Sequence, residues 1–213
     1  MNRPRILQPG TSYTFSKYFE LPYALADILA EFNCTYERKR LDLPKYAGKL
    51  NCLDFLSRYL QRNLAHVNPI SEIARREVLI APTLLEICVE TQTQLNIEYP
   101  INVNEQLKDS LDYYISSDVG MLVVEAKQSD LGRGFTQLAV ELIALDQCTQ
   151  SETPLLYGAV TTGENWRFGI FHRQEKRISQ DLKLYRVPEE LEELLRVLVG
   201  IIVAPTSLTE ENS

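Results

Sequence analysis

Two apolar runs joined by a short polar turn constrain this chain more than any other feature. The first is Leu111-Asp112-Tyr113-Tyr114-Ile115, and the second runs from Met121 to Glu125-Ala126-Lys127. The segment Ser117-Asp118-Val119-Gly120 between them carries turn chemistry. Side chains alternate faces along a strand. Glu125 and Lys127 therefore share a face with Met121 and Val123, while Leu122, Val124 and Ala126 share the other. On the first run Asp112 shares a face with Tyr114. A hairpin symmetric about the turn sets Ser116 across from Met121 and Tyr114 across from Val123. Asp112 then falls across from Glu125, where same-face partners are close neighbours. The deduction holds only without a bulge.

Two carboxylates that close repel each other, and one takes up a proton unless a cation sits between them. Mg²⁺ and Mn²⁺ prefer hard oxygen ligands. Such an ion polarises a phosphoryl oxygen and activates water. A lysine beside it can position that water and stabilise developing negative charge. Metal-dependent phosphodiester cleavage is thus the first functional expectation. The bare Glu-x-Lys pattern is weak, and an ordinary salt-bridged sheet face produces it too.

The flanking sequence adds context. Gln128 to Gly134 reads as a loop, followed by a helix over Phe135 to Gln147 with Leu138, Ala139, Leu142, Ile143 and Leu145 apolar. Gln137 and Glu141 are four apart and share one stripe. Val140 and Ala144 make this helix apolar nearly all round, which predicts packing on several sides. Upstream, Ile70 to Val89 reads as helix, with Pro82 set to kink or divide it.

This order of elements resembles the PD-(D/E)XK nuclease superfamily, the fold of many type II restriction enzymes, over about Ile70 to Phe171. The residues that carry the resemblance are Asp112 in Leu-Asp-Tyr-Tyr-Ile, Glu125-Ala-Lys127 in Val-Val-Glu-Ala-Lys, and Gln137 in Gly-Phe-Thr-Gln-Leu-Ala-Val-Glu. Glu77 resembles the acidic residue on the first helix of that fold, and Glu72 is a second candidate on a different helix face. Leu111 stands where the family name has proline.

The resemblance implies an α/β restriction-endonuclease-like core with a central mixed β-sheet flanked by helices. It implies Asp112 and Glu125 as ligands of Mg²⁺ or Mn²⁺, with the Ala126 carbonyl as a further ligand. Lys127 would orient the attacking water, and Glu77 would ligate a second metal or hold its water. Gln137 would position Lys127 or the scissile phosphate. The structural alternatives are an exposed Glu77 paired with Arg75 or Arg76, and a Gln137 spent on a helix-entry hydrogen bond.

With 213 residues, 45% of them hydrophobic, the chain is expected to make one domain, or one domain with an extension. The expected organisation is an N-terminal helical extension over 1–69, the nuclease-like core over 70–204 and a frayed acidic tail over 205–213. Helices are expected over Thr14 to Phe32, interrupted at Pro22, and over Leu50 to Leu64. Strands are expected over Leu155 to Thr162, Trp166 to Phe171 and Lys183 to Val187. A last helix follows Pro188 and buries Leu191, Leu194, Leu195, Leu198 and Ile202.

The formal net charge of −7 runs against nucleic-acid binding, where phosphate neutralisation dominates affinity, unless a local basic rim surrounds the site. Arg133, Lys108, and the cluster Arg38-Lys39-Arg40 with Lys45 and Lys49 are the rim candidates. Four cysteines without C-x-x-C spacing and two histidines argue against structural zinc. No apolar stretch is long enough to span a bilayer, and the start lacks a signal peptide, so the expected setting is the cytoplasm without a membrane partner. The expected function is Mg²⁺-dependent hydrolysis of nucleic acid, DNA first and RNA not separated from it. A nuclease cutting both strands would act as a homodimer. The alternative is a non-catalytic binding or assembly module that keeps the nuclease scaffold.

Overall fold

The computed structural model describes residues 5–8 and 10–203. Its centre is a mixed sheet of eight strands: β1 (Thr35–Lys39), β2 (Gln94–Asn104), β3 (Leu107–Ser116), β4 (Met121–Ala126), β5 (Leu155–Thr161), β6 (Asn165–His172), β7 (Arg177–Asp181) and β8 (Tyr185–Arg186). The order across the sheet is β1-β7-β6-β5-β4-β3-β2, and β8 pairs with β6. β4 and β5 run parallel, as do β1 and β7; the other neighbours are antiparallel. The α/β class with a large mixed sheet flanked by helices agrees with the expectation.

Helices cover both faces. On one face lie α1 (Phe15–Glu20), α2 (Leu25–Ala30) and α6 (Leu131–Cys148), packed on Met121, Val123, Leu156 and Val160. On the other lie α3 (Leu53–His66), α5 (Ala81–Thr91) and α7 (Leu191–Val203), packed on Leu122, Val124, Ala159 and Trp166. The five residues expected to face inward from α7 are all buried. At about 1.5–3 kcal/mol for each fully buried aliphatic side chain, that stripe is a large share of what holds α7 in place. Trp166 is fully buried, and its indole N–H donates to the Gly163 carbonyl at 3.0 Å, a core role.

The described residues before position 70 supply helices that pack on this sheet and one of its strands. The expected helix over Thr14 to Phe32 is two short helices separated around Pro22, and α1 packs on α6. β1 then adds an edge strand, which the charged run Thr-Tyr-Glu-Arg-Lys hides from a search for apolar alternation. The expected tail over 205–213 lies outside the described residues.

The helix expected over Ile70 to Val89 is α4 (Glu72–Arg75), a π-helical turn (Arg76–Ile80) and α5 in succession. Pro82 explains the irregular turn. It has no N–H to give the Val78 carbonyl, and its ring crowds that carbonyl. The Asn63 side-chain amide donates to the Val78 oxygen instead, at 2.9 Å.

The turn between β3 and β4 is locked to the end of α7. The Ser117 hydroxyl donates to the Ile202 carbonyl at 2.7 Å, answering one of the carbonyls that a helix end leaves unpaired. Gly120 passes so close that a Cβ there would stand 2.0 Å from the Ile201 carbonyl oxygen. Backbone on both sides cannot yield as a side chain would. Gly120→Ala is therefore expected to destabilise the fold by about 1–3 kcal/mol, the usual cost of overpacking. Chemical denaturation checks this, and an unchanged midpoint would mean that the turn and α7 separate easily.

Candidate functional site

Of the side chains singled out in the sequence, Asp112, Glu125, Lys127 and Gln137 converge at the end of β4, where the sheet meets α6 and α4. The hairpin register is the expected one: Ser116 pairs with Met121, Tyr114 with Val123 and Tyr113 with Val124. The ladder then stops one pair short of Asp112 and Glu125. On the far side of β3 the pairs Ile97–Tyr113 and Tyr99–Leu111 form, with Glu98 and Asp112 left out between them. Glu98 has φ +51, in the left-handed region that a non-glycine residue rarely adopts. Leu111 and Tyr113 consequently pack on opposite faces of the sheet. Asp112 sits at this break, where its carboxylate is free to turn toward β4. Its Oδ2 accepts the Ala126 N–H at 2.8 Å.

Glu125 is 1% exposed and points to the α6 face. Its Oε1 lies 2.5 Å from Lys127 Nζ. The Lys127 backbone N–H donates to Thr161 O at 2.8 Å, which continues the β4–β5 pairing by one residue and fixes where the ammonium is delivered. The Lys127 stem runs over Gly134, where an added Cβ would meet Lys127 Cγ at 2.8 Å. Its ammonium lies 5.3 Å from the Phe19 ring centroid, a cation–π distance.

Facing Glu125 is a second carboxyl, Glu141 on α6, with 0% exposure. Gln137 Nε2 donates to Glu141 Oε1 at 2.9 Å. The Glu125 and Glu141 carboxyls are close enough to repel each other electrostatically. Among the described residues, no group donates to Glu125 Oε2, Glu141 Oε2 or Gln137 Oε1, although all three are buried. Buried polar atoms without partners are few in native proteins and ask for an explanation.

Arg76, at the start of the π turn, closes the other side. Its guanidinium lies 3.3 Å from Asp112 Oδ1 and 2.5 Å from Glu98 Oε1, and stacks on the Tyr113 ring. Glu72, one helical turn earlier, interacts electrostatically with Lys127 and Asp112. Glu77 is exposed and acts on Tyr113 instead. Of the two acidic candidates on this helix, the structure brings Glu72 to the site.

Protonation equilibria follow this crowding. Burial, then Glu141 and Asp112, hold the Glu125 carboxyl well above the usual carboxylate range, against the pull of Lys127. Burial raises Glu141 as well, although its hydrogen bonds to Glu125 and Gln137 oppose the shift. Asp112 is raised by burial against the Ala126 N–H, Arg76 and Lys127. Burial works against charge on Lys127, but Glu125, Glu72 and Asp112 outweigh it and raise its pKa. The ammonium is therefore charged at neutral pH.

This donor set fits a hard divalent cation. Unpartnered carboxylate oxygens on adjacent acids, one of them next to Asp112, are hard donors of the kind such an ion prefers. Among the described residues, no three His, Cys, Asp or Glu side chains are posed as a ready-made cage. Arg76 and Lys127 instead hold the Asp112 and Glu125 oxygens that such an ion would share.

The basic rim candidates separate. Arg133 stands at the first turn of α6, near Lys127. Arg38 and Lys39 lie on the edge strand β1, four strands from β4 and so about 19 Å away at the usual strand spacing. Lys108 is paired with Glu105.

Arg76 and Glu141 are site residues to which the sequence reading assigned no role in the chemistry; Glu72 it named as the second acidic candidate. Only Glu141 carried a usable signal, as a carboxylate on a helix apolar nearly all round. Comparison with known protein families, curated proteins and solved structures finds no match to this chain.

Proposed function

We propose that this chain is a Mg²⁺- or Mn²⁺-dependent nuclease built on a restriction-endonuclease-like core, hydrolysing phosphodiester bonds of nucleic acid, DNA first. The observation that carries the proposal is the buried Glu125–Glu141 pair, with an unpartnered oxygen on each acid, set between Asp112 and Lys127. Such a pair is costly in a core that needs only stability.

In this reading Asp112, Glu125 and the Ala126 carbonyl hold the cation, and Glu141 backs Glu125. The bound cation supplies charge stabilisation at the phosphoryl oxygen and activation of water. Lys127, charged and held by Glu125, donates to the attacking water and offsets negative charge as it develops. Arg76 serves as the counterion of Asp112 and would keep Glu98 as its partner with a cation at Asp112. Gln137 fixes Glu141 so that both acids keep one orientation.

A second reading rests on the same ion pairs. Arg76 on Asp112 and Lys127 on Glu125 leave each of those acids with a cationic partner, and the chain is acidic overall. A non-catalytic binding or assembly module would need no more.

Incubation with single- and double-stranded DNA and RNA in Mn²⁺ or Mg²⁺ decides between them, with Asp112→Asn purified alongside as control. Cutting that needs the metal, stops with chelator and is absent from the control is expected. No cutting on any substrate, with no thermal stabilisation by either metal, would leave the scaffold reading.

A further inference from the structure

Beside Lys127 lies a groove that the proposed chemistry does not use. Its walls are Phe19, Pro22 and Tyr23, at and after the end of α1, and Gly132, Arg133 and Thr136 of α6; its volume is about 410 Å³. That falls within the range of small-molecule sites. The groove is continuous with the site through Phe19, whose ring carries Lys127 Nζ on its face. Tyr23, beside it, is 50% exposed although it is a large aromatic side chain.

We propose that this groove receives one unpaired nucleobase of the substrate, next to the phosphate held at Lys127. This rests on the nuclease reading and adds to it the substrate class: nucleic acid with a single-stranded nucleotide at the cleavage point.

The chemistry of the walls selects a base over a phosphate. The first amides of α6 could have bound an anion, but the Asp130 carboxylate already accepts from Gly132 N and Arg133 N, both at 3.0 Å. Besides Arg133, what remains inside is ring surface, the apolar side chains of Leu21, Pro22 and Ala24, and the Thr136 hydroxyl. Aromatic faces with a guanidinium at the rim stack any base and tolerate sequence. Arg133 is well exposed, 3.7 Å from Asp130, and can swing to a neighbouring phosphate. A base inside a duplex is stacked on its neighbours and cannot enter a cavity without leaving the helix. Single strands, overhangs and flaps present such a base at no cost. A pocket for one base also eases the conflict with the acidic net charge, because stacking supplies affinity that phosphate contacts on this surface do not.

The test uses the full chain and fluorescein-labelled oligonucleotides, a dT 12-mer and a blunt hairpin duplex of equal length, with Ca²⁺ in place of Mg²⁺. Anisotropy is expected to show at least tenfold tighter binding of the single strand. Tyr23→Ala should weaken it by about 5- to 150-fold, the loss typical of one stacked base, and Tyr23→Phe should restore it. A set of 12-mers with a single abasic position should lose affinity at one register. Equal binding of duplex and single strand, or a Tyr23→Ala variant that binds like wild type, overturns the proposal. Cleavage in Mn²⁺ is measured on the same samples. Cutting that ignores Tyr23 leaves the nuclease reading standing and removes the groove. Tyr23-dependent binding without cutting keeps the groove and removes the catalytic reading.

Discussion

Lys127→Ala is expected to lower metal-dependent cleavage by about 10²- to 10⁴-fold, the range for losing a positioned proton-transfer or charge-stabilising group. Stabilisation of the same variant by Mn²⁺ should persist. Lys127 Nζ lies 2.5 Å from Glu125 Oε1, so removing the ammonium frees a carboxylate oxygen rather than losing a ligand. Asp112→Asn makes the opposite pairing of results. It removes a charge from the donor set, so both cleavage and metal-induced stabilisation should fall. Asn still offers an oxygen to the Ala126 N–H, so the local fold should hold. Single-turnover cleavage and thermal melts with and without Mn²⁺ check the split. Equal loss of metal stabilisation in the two variants would mean that Lys127 does not stand in a cation's place, and undiminished cleavage by Lys127→Ala would remove it from the chemistry.

Glu141→Gln should stabilise the metal-free protein at pH 8 and weaken its response to Mn²⁺. Two adjacent buried acids, Glu125 and Glu141, are both shifted upward, so the fold holds protons that the unfolded chain has released. Between the ordinary glutamate pKa and the raised folded values the native state binds more protons than the unfolded one. Stability is therefore fully present below that window and is lost as pH rises through it. One pH unit of displacement corresponds to about 1.4 kcal/mol, so a gain of about 1–3 kcal/mol at pH 8 is expected when Gln replaces one acid. Gln keeps the shape, and its amide N–H₂ can donate to Glu125. At pH 4 the difference should shrink to a small remainder, because both acids are then protonated in the fold and mostly protonated in the unfolded chain. Urea denaturation at the two pH values measures it. A Glu141→Gln protein less stable than wild type at pH 8 without metal would show that the pair attracts on balance rather than repels.

The hairpin was legible because its two runs are short, alternating and separated by a turn of unambiguous chemistry. The register followed as far as Tyr113–Val124. It stopped at Asp112 because Glu98, on a strand the reading did not place, takes a left-handed conformation opposite it. That strand, β2, alternates Leu95, Ile97, Tyr99, Ile101 and Val103, and its Pro100 fits an edge position. β7 offered no such pattern, because beside Ile178 its buried residues Ser179, Gln180 and Asp181 are polar. Gly132 and Gly134 made the first turn of α6 look like loop, although Asp130 caps the helix ahead of them. The choice of Glu72 over Glu77 depends on a π turn whose cause, Pro82, was visible but whose extent was not. Glu141 was seen as a helix neighbour of Gln137; that it faces Glu125 is a tertiary fact.

The edge pairing of β1 with β7 sets the timetable of a nascent chain. Glu37 and Ser179, joined across that pairing, are 142 positions apart. The strand made first in synthesis therefore waits for the seventh strand before it finds a partner. During that delay Thr35–Lys39 is an open edge, the kind of segment through which unfinished chains stick to one another. Its Glu37, Arg38 and Lys39 put charge on that edge, the kind of side chain that discourages pairing with a second chain.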